Sequence, residues 1–162
     1  MTMATATPHK EQMMTPSEGI GFALTDEQRM LQNLARDFAR NTVAPAAEHY
    51  DQTAEFPMPI IHKARQAGLI NLNIPVEYGG GGASVLEECL VGEEVSWGCS
   101  GIGTTLNINS LASIPIIIAG SDAQKGAILP QIAAGKMKLA LAVTERQSRF
   151  DLHDVSAHAR CE

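Results

Sequence analysis

The sequence predicts a mostly α-helical fold, an up-and-down helical bundle followed by one or two β-strands of an incomplete β domain. Three observations carry that expectation. Apolar residues recur at helical spacing behind Thr25 and Ser84, each an N-cap type with Gln or Glu three residues on. The stretch from Thr104 to Ala119 is apolar nearly all round, as a central bundle helix would be. Against these, Lys138 to Val143 stands out as a buried-strand candidate. It is apolar from Leu139, holds no Gly or Pro, and breaks into polar Thr144-Glu145. Polar residues just past a strand's end often meet a ligand, because a rigid scaffold holds them at the surface.

Composition narrows the function. The chain has 162 residues, enough for one domain with a real core. Apolar residues make up 44% and charged residues 19%, which suits a globular, soluble protein. Aromatics are 4%, so Ala, Ile and Leu must do most of the packing. A net charge of −6 argues against non-specific nucleic-acid binding, which needs basic surface. No membrane span is expected: the longest apolar run, Ile102 to Ala119, is interrupted by Asn107, Asn109, Ser110, Ser113 and Pro115. Cys89, Cys99 and Cys161 are odd in number and widely spaced, which suits a reducing compartment. The N-terminus has no apolar signal core, and a cytoplasmic protein is expected.

In chain order, residues 1–21 lack periodicity and are expected to be a disordered arm. Residues 22–136 form the helical domain. Its first helix starts behind Thr25, with Asp26 and Glu27 in the first turn and Leu31, Leu34, Ala35 and Phe38 on one face, and runs to the early forties. Pro45 marks a kink or an end. A short helix from Pro59 to Ala67 is closed by Gly68. The apolar stretch Leu69 to Ile74 leads into Pro75 and the glycines Gly79 to Gly82. Such a run can cradle a phosphate, but no Lys-Ser/Thr follows, so a turn before a helix is the simpler reading.

Ser84 opens a third helix with Leu86, Leu90 and Val91 facing inward, extended by Val95 and Trp97. Glu87, Glu88, Glu93 and Glu94 suit a solvated face better than an acid/base pair. Gly98, Gly101 and Gly103 follow a helix rather than a strand, so they are no dinucleotide fingerprint. A fourth helix, Thr104 to Ala119, is kinked at Pro115. A fifth runs from Ser121-Asp122 through Ile132, bent or ended early by Pro130. Residues 137–162 read as the start of a β domain, with Val155 to Arg160 alternating loosely as a second strand. A two-stranded sheet is marginal by itself. Asp151, His153, Asp154, His158 and Cys161 are metal-ligand types, but irregularly spaced.

Four motifs in order resemble the acyl-CoA dehydrogenase family. They are LTDEQ at Leu24 to Gln28, NIPVEYGGGG at Asn73 to Gly82, IPIIIAGSDAQKGAILPQIAAGK at Ile114 to Lys136, and LALAVTE at Leu139 to Glu145. The resemblance covers about Gly21 to Ala159. It implies an N-terminal helical domain, a middle β domain and a C-terminal four-helix bundle. It also implies FAD as cofactor, an acyl-CoA thioester as substrate, and α,β-dehydrogenation. By the family pattern Val143 and Thr144 touch the flavin ring, with Leu141 and Ala142 beside it. Such contacts tune a flavin's electronics while the cofactor does the redox chemistry.

The pattern is broken after Thr144-Glu145. Where the family has Pro, small residues and Gly, then Ser-Asp, this chain has Arg146, Gln147, Ser148, Arg149, Phe150 and Asp151. Arg149 brings a Cβ where Gly could take positive φ. Phe150, at the substrate-binding Ser position, has no hydroxyl to donate. Two arginines could bind phosphate instead. The family's second flavin-contacting strand and its C-terminal bundle, with the catalytic glutamate and most of the tetramer interface, would lie beyond Glu162. No catalytic residue is assigned, because no acid here matches the base that must reach the substrate's α-proton. The expected function is thus an acyl-CoA dehydrogenase-like polypeptide, inactive as an isolated chain. Its expected partners are a homo-oligomer mate or a second chain supplying the missing domains. The alternative is a non-catalytic helical binding or assembly module without flavin.

Overall fold

The computed structural model describes residues 23–146, 153 and 155–160. Thr25 opens α1 (Asp26–Phe38). Its hydroxyl accepts the Gln28 N–H at 3.1 Å, and the Gln28 side chain returns the bond to the Thr25 N–H at 3.1 Å. This satisfies two donors that a helix start leaves free. Pro45 neither ends nor simply kinks the helix. The winding changes instead, through a π turn at Ala39–Val43 and a 3₁₀ turn at Ala44–Ala46, and continues as α2 (Ala47–Thr53). A proline withholds one N–H from the helical ladder, and a change of winding re-pairs the freed carbonyls.

Helix α3 (Met58–Gln66) ends at Gly68, which takes φ +71°. There Leu69 N–H bonds Ala64 O at 2.9 Å and Gly68 N–H bonds Arg65 O at 3.0 Å, the paired bonds of a Schellman cap. A loop with a 3₁₀ turn at Val76–Tyr78 leads to α4 (Val85–Gly98). Helices α5 (Ser100–Ala119) and α6 (Asp122–Ala133) run unbroken through Pro115 and Pro130, which are both exposed. Helix α5 also starts one turn earlier than its apolar pattern suggests.

The helices pack in sequence, α1 on α4, α4 on α5 and α5 on α6. One core gathers Ala35, Val43, Ile60, Ala64, Leu69, Val91, Val95, Ile102 and Leu106. A smaller one holds Ile74, Leu129 and Ile132 beneath the end of α6. Gly103 lets α5 meet α4: a Cβ there would come to 2.4 Å from Ser96 Oγ.

Three expectations about side chains are corrected. Helix α5 is not central all round, since Leu111, Ile114 and Ile118 are exposed and no described residue covers that face. Trp97 lies 66% exposed, its ring under the Arg40 guanidinium at 5.7 Å, rather than between helices. Leu34 and Leu86 are also exposed, although α1 packs on α4.

The mostly helical fold class is as expected. Residues 138–144 and 155–160 form neither helix nor strand, and Glu145 takes part in an isolated β-bridge. A strand needs a neighbour to pair with along its length, and no described residue pairs with 138–144. The N-terminal arm through residue 22 lies outside the described residues.

Candidate functional site

The segment after α6 is where the family pattern places its cofactor contacts, and its position can be built from the helices upward. Gly135, at φ +66°, closes α6 with a second Schellman cap: Lys136 N–H bonds Gln131 O at 2.9 Å and Gly135 N–H bonds Ile132 O at 2.8 Å. The chain then straightens. Met137 and Leu139 pack half-buried against the Ile74, Leu129 and Ile132 cluster. The Lys138 ammonium sits 5.1 Å from the Phe56 ring centroid. Asn109 of α5 donates Nδ2 to the Met137 carbonyl at 3.4 Å and accepts the Leu139 N–H on Oδ1 at 2.8 Å.

Beyond Leu139 the chain stands clear. Ala140, Leu141, Ala142 and Thr144 are exposed, and Val143 is half-buried. Residues 140–144 make no hydrogen bond to other described residues. The apolar run is therefore not a buried strand here, although its pattern says so, because the layers that would bury it are not among the described residues. Among the described residues, no partner takes the backbone donors and acceptors of 140–144 or the Thr144 hydroxyl. The edge of a flavin ring offers carbonyl and nitrogen acceptors, so this donor set fits that group in kind.

Glu145 ends the free stretch. Its carboxylate accepts the Ser156 N–H at 2.9 Å, the Ser156 hydroxyl at 2.8 Å and the Ala157 N–H at 2.9 Å. These bonds from the backbone and hydroxyl of Ser156, then from Ala157, hold its pKa below the ordinary carboxylate value. Glu145 is thus a tie across the loop rather than a free base. Arg146 is exposed, while Gln147 to Asp151, with Arg149 and Phe150, lie outside the described residues.

The glycine run is a packed turn. Gly82 N–H bonds Ile74 O at 2.9 Å and Ala83 N–H bonds Leu72 O at 2.8 Å, so the loop's amides are spent on its own backbone. A Cβ on Gly80 would come to 2.0 Å from Ile74 O. Two of the four α4 acids are also engaged. Glu87 accepts from Ser84 and from Gln28 Nε2 at 2.8 Å, and Glu94 pairs with Arg36 Nε at 3.0 Å. Cys89 and Cys99 are free thiols. Among the described residues no group of three or more metal-ligand side chains comes together.

Three asparagines that pattern reading passed over hold the segment's surroundings. Asn71 donates to Ile132 O, Asn73 donates to Ser110 O at 2.9 Å, and Asn109 holds residues 137 and 139. The legible signal for Asn109 was a polar residue at a half-buried position of an otherwise apolar helix. Two adjoining surface depressions of about 210 and 220 Å³ lie along α4 and α5 and share Asn107 and Leu111. Val85, Cys89, Ile108 and Ile114 add apolar wall, and Glu88, Ser96, Thr104 and Ser110 add polar groups.

Comparison with known proteins agrees with this layout. A family model described as the N-terminal domain of acyl-CoA dehydrogenases matches residues 25–136. The chain is 34% identical over 150 residues to the probable medium-chain specific acyl-CoA dehydrogenase 2, mitochondrial, of Caenorhabditis briggsae, spanning 93% of this chain and 36% of that protein. It is 38% identical over 129 residues to an acyl-CoA dehydrogenase of Bacillus subtilis, spanning 79% of this chain and 34% of the other. The solved structure of butyryl-CoA dehydrogenase from Megasphaera elsdenii matches with a TM-score of 0.71 and 30% identity, over 80% of this chain and 35% of that one. The chain thus spans about a third of the length of the relatives it matches. It belongs to the acyl-CoA dehydrogenase family, with the family's N-terminal domain at residues 25–136.

Proposed function

We propose that this chain supplies the helical wall and the first flavin-facing segment of an FAD-dependent acyl-CoA dehydrogenase, and that by itself it does not carry out the reaction. The observation that carries this reading is the free, extended stretch from Leu141 to Thr144, mounted on the family's helical domain. Leu141, Ala142, Val143 and Thr144 would hold the flavin edge through backbone groups and the Thr144 hydroxyl. Bound FAD would supply the hydride acceptor for α,β-dehydrogenation of an acyl-CoA thioester.

The apolar walls along α4 and α5, with Leu111, Ile114 and Ile108, are the surface here best suited to an acyl chain. Each methylene buried there is worth about 0.8 kcal/mol. Glu87 caps a helix, Glu94 pairs with Arg36 and Glu145 ties a loop, whereas Glu88 lines the same depression as Leu111 and Ile114. No acid here matches the family's base, so in this reading the base comes from a second chain or from further sequence. A cytoplasmic setting goes with this reading.

A second reading is a helical binding or assembly module without flavin. Arg149 and Phe150, where the family has Gly and Ser, favour it, as does a helical core that closes on its own residues. Visible absorbance of the purified chain with added FAD, alone and mixed with the remaining domains of the Megasphaera enzyme, separates the two. Flavin uptake and dehydrogenation only in the mixture are expected. Turnover by the chain alone would overturn the claim of dependence, and no uptake in either sample would leave the module reading.

A further inference from the structure

We propose that Asn109 is a positioning residue that sets the register of the segment from Leu139 to Thr144. The inference rests on the reading above for what the segment serves, but its geometry stands independently. In an extended chain the C=O of one residue and the N–H of the residue two further on point to the same side. Met137 O and Leu139 N are such a pair, and the Asn109 amide engages both, at 3.4 and 2.8 Å. One side chain thus does what a neighbouring strand would do, offering one donor and one acceptor. No sheet neighbour does so among the described residues.

The consequence follows from a period of two. With Leu139 N–H facing α5, the backbone groups of Leu141 and Val143 face the same way, and those of Ala142 and Thr144 face away. A slip of one residue would exchange the two sets. Leu139 and Val143 are half-buried, while Leu141 between them is exposed. Met137 N–H bonds Gln131 O at 3.2 Å and fixes the chain up to residue 137. Past it the anchors are less specific: Leu139 rests on an apolar cluster and Lys138 lies over Phe56, and neither distinguishes one register from the next. Asparagine is required because aspartate keeps the acceptor for Leu139 but sets a second oxygen against Met137 O, and leucine keeps only the volume.

The test uses the full 162-residue chain. Hydrogen exchange is followed at the Leu139 amide, with Leu106 and Leu129 as internal controls for global stability. In parallel, thiol labelling is compared at Val143→Cys and Thr144→Cys in a background with Cys89, Cys99 and Cys161 changed to Ser. In Asn109→Leu the Leu139 amide should exchange roughly tenfold faster, the value of one lost hydrogen bond. The labelling contrast between positions 143 and 144 should collapse, and Asn109→Asp should fall between. An unchanged contrast in Asn109→Leu, or equal acceleration at all three amides, would overturn the proposal.

Flavin uptake by the mixture with the Megasphaera domains gives the functional arm. Loss of affinity in step with the lost contrast supports the positioning role, and unaltered affinity despite a collapsed contrast overturns it. If the wild-type mixture takes up no flavin, the proposed function fails, while labelling and exchange still decide the register.

Discussion

Asn71 donates its side-chain amide to the Ile132 carbonyl at 2.7 Å, joining residues 61 apart in sequence at the end of α6. The same carbonyl accepts the Gly135 N–H of the helix cap at 2.8 Å. Asn71 is buried and holds a left-handed φ of +56°. Asn tolerates that conformation better than most residues. The contact places the start of the segment after α6 relative to the loop before α4.

Asn71→Ala should therefore lose on two counts. Removing the donor leaves the Ile132 carbonyl with the Gly135 N–H, at about 0.5–1.5 kcal/mol, and the left-handed backbone adds about 1–2 kcal/mol. Asn71→Gly should recover the second part only. Urea midpoints ordered wild type, Gly, Ala check this, and an Ala variant as stable as the Gly variant would remove the backbone argument.

Gly80→Ala should destabilise by about 3 kcal/mol or more, since its Cβ would overlap the Ile74 carbonyl oxygen and neither backbone can yield cheaply. Gly79→Ala meets no atom within 4 Å but forces φ +85° on an alanine, at a cost of about 1–2 kcal/mol. Thermal midpoints of the two variants, taken together, measure close approach against strain. The reverse order would mean that the loop is looser than its hydrogen bonds indicate.

Leu129→Ala and Trp97→Ala test which apolar residues hold the fold. Leu129 is 0% exposed and should cost about 2–5 kcal/mol when truncated. Trp97 is 66% exposed and loses mainly its contact with Arg40, at about 0.5–1 kcal/mol. Chemical denaturation of both variants reads the difference directly. Equal losses would place Trp97 in a packed interface after all.

Glu87 should titrate far below other glutamates. Hydrogen bonds from the Ser84 side chain, then the Gln28 side chain, then the Ser84 backbone lower its pKa from 4.5 to about 2. A carboxylate lowered on folding stabilises fully above its unfolded pKa, and the benefit disappears as pH falls through the folded value. The α1–α4 tie should thus hold at neutral pH and loosen between about 4.5 and 2. A carboxyl NMR titration checks it, and a Glu87 midpoint near 4.5 would remove the effect. Glu145 is shifted in the same direction, so the amides of Ser156 and Ala157 should lose protection on acidification and in Glu145→Ala.

Local signals in the chain were sufficient for the helices. Caps at Thr25, Ser84 and Ser121 and the stop at Gly68 depend on bonds within a few residues, so they can be read from neighbouring letters. Family membership was legible for a related reason: the motifs around Pro75, Pro115 and Thr144 keep their order and spacing along the chain. The side chains that face inward were less legible. Leu34, Leu86, Trp97 and Leu111 are apolar and at helical spacing, yet exposed, because burial depends on whether another element covers the face.

Tertiary structure alone decided the rest. That Leu139 to Thr144 extends without becoming a strand depends on a neighbour's absence among the described residues, which no local pattern can register. That Asn71, Asn73 and Asn109 hold the segment's surroundings depends on donors and acceptors brought together from 28 to 61 residues away. An asparagine's letter says that it can donate and accept; only the folded chain says to what.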